Sequence, residues 1–202
     1  MFLTFGRNTI FFMHSTYIAD HQFKNIDFTA TPLAYRDFEQ CVFTDCNFNG
    51  VDLSDLNFIN CLFVDCNLSL AQINSTSFQE VKFLNCKMTG FNLETCNPFG
   101  LKVHFDNCII NESSFYELQL QKTHFKGCNL QHSDFAYANL SQVFFENCNL
   151  DQTVFDQTNL EKANLSSAYN FTINPTQNKL KNAKFSKENC IGLLSSFQIK
   201  IE

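Results

Sequence analysis

At 202 residues with a formal net charge of −6, the chain is long enough for one domain of ordinary size. The acidic balance speaks against direct nucleic-acid binding, and no stretch approaches the ~18 apolar residues of a membrane span. Its 25 phenylalanines with no tryptophan, beside only 6 glycines and 3 prolines, point to a composition set by a repeat.

Residues 1–20 read as an N-terminal extension, and residues 1–19 carry no repeat. The run Thr9-Ile10-Phe11-Phe12-Met13 is short, follows Arg7 and lacks a basic leader, so it is not the pattern of a signal peptide. The first dozen residues are expected to be loosely held, or at most to form an edge strand on the first repeat.

From Phe23 a large apolar residue recurs at every fifth position, through Phe28, Leu33, Phe38, Phe43 and onward to Leu93. A period of five fits neither a 3.6-residue helix nor a two-residue strand. It fits a solenoid in which each pentad turns one corner and four pentads close a square coil. Corners in so glycine-poor a chain fall to ordinary residues and to the many Asn and Asp, which tolerate unusual backbone angles.

Between Leu93 and Phe105 the spacing is 12 rather than 10. Two extra residues lie within Cys96 to Lys102, where Pro98 and Gly100 set a turn. A corner insertion with Phe99 folded back on the core is the expected arrangement. A projecting element with Phe99 as an apolar tip, and so a candidate partner contact, is the alternative.

The second block runs from Phe105 to Leu165, and from Phe115 to Leu160 phenylalanine and leucine alternate without a miss. The two blocks hold 28 centres, 15 of them Phe, enough for seven coils. At ~4.8 Å per coil the rod is roughly 35 Å long.

Two residues before most centres stands a smaller one. Nine of the 10 cysteines, Cys41, Cys46, Cys61, Cys66, Cys86, Cys96, Cys108, Cys128 and Cys148, share that slot. They are expected as buried free thiols in columns, in a reducing compartment. Four thiolates do not converge anywhere, so no metal site is expected among them.

After Leu165 the pattern fails at Asn170 and returns briefly at Ala183-Lys184-Phe185. The expected layout is a β-helix over 21–169, in blocks 21–97 and 103–169, followed by a cap over 170–202. Ser186 reads as the N-cap of a short helix from Lys187 to about Ser196, and Phe197 to Ile201 as a terminal strand. A solenoid needs such a cap over its apolar end. Leu193, Leu194, Phe197, Ile199 and Ile201 exceed what one coil end needs, so they are candidates for a two-fold, end-to-end homodimer contact.

The repeating unit, (small)-(Asn/Asp)-(Leu/Phe)-x-x, is clean in Cys128-Asn129-Leu130, Ala138-Asn139-Leu140, Cys148-Asn149-Leu150 and Ala163-Asn164-Leu165. It resembles the pentapeptide-repeat family. The resemblance implies an all-β fold, a right-handed quadrilateral β-helix. Asn174-Pro175 through Lys181, Ala183 to Ser186 and Gly192-Leu193-Leu194 resemble the C-terminus of the chromosomal Qnr-type members. Met13 reads as an alternative start, because the residues after it resemble the family's beginning. Those members imply a DNA-mimicking protein that binds DNA gyrase or topoisomerase IV in the cytoplasm, modulating it or protecting it from quinolones. The plasmid-borne resistance proteins have two long loops between coils, whereas here only a two-residue excess is visible.

Charge placement bears on mimicry. Residues 20–165 hold 18 acidic and 8 basic groups, whereas 166–202 hold 2 acidic and 5 basic. Glu146, Asp151, Asp156 and Glu161 each follow a centre in four consecutive pentads, which predicts a collar with one carboxylate per face. Asp45 and Asp65 share another slot one coil apart, with Asp55 between them in sequence. Duplex DNA carries about 20 charges over ~35 Å, and a net −10 is about half that density. These seven acids are the candidate partner-binding residues, and plain solvation of the faces is the alternative.

No catalytic constellation is visible, and neither an enzyme nor a cofactor is expected. His104 and His124 recur in one slot and predict a stacked surface pair, conceivable as a two-ligand metal site. A non-enzymatic interaction scaffold with another cytosolic partner is the second reading of function.

Overall fold

The computed structural model describes residues 16–197, 199 and 200. The expectations for residues 1–12 and for Ile201 fall outside them. The chain winds into a four-sided parallel β-solenoid of about eight turns, the right-handed quadrilateral β-helix that the period of five implies. Among the described residues there is no α-helix.

Each position of the pentad has a separate physical task. The centre points inward: Phe43, Phe63, Phe83, Phe105, Phe125 and Phe145 are buried and stack in one column, with centroids 4.7–5.3 Å apart. Burying one such ring stabilises the rod by roughly 1.5–3 kcal/mol. The residue before the centre is often Asn or Asp because its side chain accepts the backbone N–H two positions on, as Asn67 does from Ser69 and Asn139 from Ser141. The centre carbonyl commonly accepts the N–H three positions on, as Leu130 does from Ser133, and closes a turn. The third residue of that turn has positive φ, the signature of a type II turn.

Among the described residues, twenty-four non-glycine residues adopt this left-handed geometry. Asn and Asp are frequent there, but Leu70, Tyr137 and Lys162 adopt it too. Most corner N–H groups are held by the next coil, as Asp45 N–H is by the Val64 carbonyl at 3.0 Å. Stacking therefore offsets the local strain.

The small slot is a buried donor site. Thr153 and Thr158 hydroxyls donate to the Leu130 and Phe135 carbonyls at 2.8 and 2.9 Å. The thiols of Cys61, Cys66 and Cys148 make the same bond at 3.3–3.4 Å. All nine slot cysteines are free and buried, as expected, whereas Cys190 is half-buried. Burial pushes the Cys61 and Cys96 thiols up to about 12.

Five expectations need correction. The repeat starts one pentad earlier than Phe23, because Tyr17–Ala19 pairs in parallel with Asp37–Glu39 and Ile18 faces Phe38. Another side of the solenoid carries nine stacked strands, from Gln22–Lys24 to Lys184–Phe185, which adds a rung beyond Leu165, more than seven coils supply. At Asn170 the coil continues rather than failing. Tyr169 still bridges Asn149, Asn170 turns the corner at φ 61°, and Phe171 and Ile173 enter the core.

The expected cap helix is instead two 3-10 turns, Cys190–Leu193 and Ser195–Phe197. Ser186 does cap the segment, accepting the Asn189 N–H at 3.0 Å. Gly192 presses on the Phe171 carbonyl so closely that a Cβ would collide with it, and its own carbonyl accepts the Ile173 N–H. Wrapping a coil end this tightly, through a glycine, disfavours a regular α-helix. No terminal strand forms at Phe197 or Ile199 either: Phe197 lies in a 3-10 turn and Ile199 in irregular backbone.

The fifth correction is Phe99, which is 80% exposed and does not fold back. Asn97 Oδ1 accepts the Phe99 N–H at 3.0 Å, and Gly100 turns at φ 70°. The tip is thereby held outward. On the same rung Pro98 is exposed, and the core is filled by Phe91, whose buried ring lies 6.1 Å from those of Phe78 and Phe83. Phe91 occupies a slot that at most pentads holds a smaller residue.

Candidate functional site

The acidic candidates separate into two arrangements. Asp45 and Asp65 occupy one corner of successive coils, at φ 52° and 53°, in a column with Asn25, Asn85, Asn107 and Asn147. Backbone geometry alone favours Asn or Asp there, and the column holds Asp only in these two coils. Asp55 turns a different corner, at φ 59°.

Glu146, Asp151, Asp156 and Glu161 ring one coil, each at the end of a different side. Glu146 lies 3.4 Å from His124 Nε2, and Asp151 accepts a hydrogen bond from Gln131 Nε2 at 3.1 Å. All four are half-buried around the rod, so no flat partner surface touches them together. The acids of the first block that sequence reasoning passed over are bound into the scaffold. Asp37 accepts from Asn57 at 2.6 Å, and Asp27, held low by its bonds to Thr29, also accepts from Asn47.

His104 and His124 stand on adjacent rungs, as their spacing predicts. Burial, then the Lys102 and Lys82 charges, lowers the His104 pKa, which favours a neutral ring. Among the described residues no group of three or more His, Cys, Asp or Glu is placed to hold a metal ion.

At the C-terminal end Leu193 packs against the core, while Leu194, Phe197 and Ile199 remain exposed with Ile191. Together with the Phe99 tip they are apolar surface that one copy does not cover. Among the described residues no helix is long and apolar enough to cross a membrane.

The fold and these convex surfaces define a repeat solenoid that presents side chains on a rigid rod. Residues 36–98 and 101–185 match the family described as Pentapeptide repeat region, and the chain belongs to that family. The two residues left between the matched segments are Phe99 and Gly100. Among solved structures, a trypsin-treated form of QnrB1 is 15% identical with a TM-score of 0.69, covering 94% of this chain and 93% of that one. Full-length QnrB1 is 15% identical with a TM-score of 0.59, covering 91% of this chain and 100% of that one. Both are described as a plasmid-mediated fluoroquinolone resistance protein. At this identity the likeness speaks for the fold. No curated protein matches the chain in sequence.

Proposed function

We propose that this protein is a non-enzymatic DNA mimic that binds a type II topoisomerase, DNA gyrase or topoisomerase IV, in the cytoplasm and modulates it or protects it from quinolones. The observation that carries the reading is a rigid rod superposable along nearly its whole length on QnrB1. Its acidic residues outnumber the basic ones 18 to 8 over residues 20–165. Such a rod presents a field of duplex-like sign to a cationic groove. In this reading the carboxylates of Asp45, Asp55, Asp65 and the collar meet the partner, and Phe99 adds an apolar contact. The exposed Leu194, Phe197 and Ile199 join two copies end to end.

The test is direct binding to purified gyrase, followed by supercoiling assays with and without a quinolone. Saturable binding that weakens with added salt, and altered quinolone sensitivity, support the reading. Absence of binding to both enzymes leaves the second reading, a scaffold for another cytosolic protein. One observation favours that second reading: the collar acids are distributed around the rod rather than gathered on one side.

A further inference from the structure

A patch of opposite sign lies on this acidic rod. Three lysines surround one exposed aromatic ring on the side that carries the nine-stranded sheet. Phe144 is 44% exposed and points outward between His124 and Asn164 on the neighbouring rungs, with Lys184 one rung further. At the adjoining corner Lys122, Gln142, Lys162 and Asn182 succeed one another at positive φ. Together Lys122, Gln142, Phe144, Lys162, Asn182 and Lys184 line an open groove of about 560 Å³.

Three features make this more than a solvated surface. First, none of the three lysines forms an ion pair among the described residues, although Lys102 is bound to Glu80 at 2.6 Å and Lys126 to Asp106 at 3.2 Å. Glu161, which directly precedes Lys162 in the chain, is not paired with it. Second, the Phe144 ring is braced by His124, centroids 5.1 Å apart and planes tilted by 53°, so an exposed aromatic ring is held beside the positive charge. Third, the side-chain amides of Gln142 and Asn182 border the groove and offer both donors and acceptors.

We propose that this groove binds a nucleoside phosphate, with the base stacked on Phe144 and the phosphates held by Lys162, Lys184 and Lys122. Phe144 and Lys184 are two rungs apart, ~10 Å, a span that a nucleotide covers between its base and its terminal phosphates. An acidic peptide fits less well. The backbone N–H groups of Phe144, Asn164 and Lys184 are already bonded to the Thr123, Val143 and Ala163 carbonyls, so the floor of the groove offers a peptide backbone no free donor. A long polyanion fits less well too, because Glu146 lies on the same rung as Phe144, and Asp106 and Glu80 lie on coils below. The site is independent of topoisomerase binding and stands or falls separately.

The test is calorimetric titration of the full chain at low salt with ATP, inorganic triphosphate, adenosine and an oligo-glutamate peptide. ATP should bind tightest. Base–aromatic stacking is worth ~1–3 kcal/mol, so Phe144→Ala should weaken ATP about fivefold or more and leave triphosphate unchanged. Lys162→Ala with Lys184→Ala should weaken both. The chain has no tryptophan, so Phe144→Trp keeps a platform and reports stacking as fluorescence quenching on adding ATP but not triphosphate. The proposal is overturned if ATP shows no saturable binding at low-millimolar concentration. It is equally overturned if triphosphate or the glutamate peptide binds as tightly as ATP, or if Phe144→Ala leaves ATP binding unchanged.

Discussion

Phe105 stacks on Phe83 with ring centroids 5.3 Å apart and planes within 10°, although 22 residues rather than 20 separate them. The strand register carries the same offset, pairing Lys82 with His104. This column of the core therefore passes the insertion without a fault, and the extra length is expelled at Phe99 and Gly100. Truncating the two phenylalanines should have opposite consequences. Phe105→Ala opens a cavity in the stack and should destabilise by about 3–5 kcal/mol. Phe99→Ala should stay within about 0.5 kcal/mol of the parent. Urea denaturation of both variants checks the contrast, and equal midpoints would place the ladder elsewhere.

The slot hydroxyls should prove to be hydrogen-bonding groups rather than fillers. Thr153→Val keeps shape but deletes the 2.8 Å bond to the Leu130 carbonyl. That carbonyl retains the Ser133 N–H, so the loss should be about 1 kcal/mol rather than that of an orphaned acceptor. Thr153→Ser, which keeps the donor, should recover most of it in the same thermal scan, apart from the missing methyl group.

Thiol chemistry should be silent in the native state and costly at high pH. Without denaturant a thiol reagent should label Cys190 quickly and the nine slot cysteines hardly at all. An unfolded thiol ionises near ~8.5, whereas Cys61 and Cys96 are pushed up to about 12 by burial. A folded-state pKa above the unfolded one means that stability is fully present below ~8.5 and is lost as pH rises towards 12. The urea midpoint should fall steadily across that window, and a flat profile would contradict the buried column.

Converting Glu146, Asp151, Asp156 and Glu161 to their amides tests mimicry. None of them faces the core, so the melting temperature should hold while topoisomerase affinity drops and its salt dependence flattens. Undiminished binding of the tetra-amide variant would reduce the collar to a solubility device.

End-to-end dimerisation predicts that Leu194→Glu gives a monomer in sedimentation at tens of micromolar, with its far-UV spectrum unchanged. A parent chain that already sediments as a monomer would assign the exposed Leu194, Phe197 and Ile199 to something other than a second copy.

The solenoid was legible in the sequence because each pentad position performs a local task. The inward centre, the small donor slot and the capping Asn depend only on neighbours a few residues away or one coil below. A period of five therefore dictated the coil, the thiol columns and the His104–His124 pairing together. What lay beyond the period was decided by packing. Phe91 reads as a misfit in a small slot until Pro98 leaves room for its ring, and Asn170 reads as a break until Phe171 takes up the core. The direction of Phe99 depended on a single Asn97 bond and a left-handed Gly100. Lys122 and Lys162 share one offset from their centres and Phe144 and Lys184 share another, so the period alone sorts them into two separate columns. Only the stacking of successive coils, with a corner column beside a face column, brings their charges around one ring.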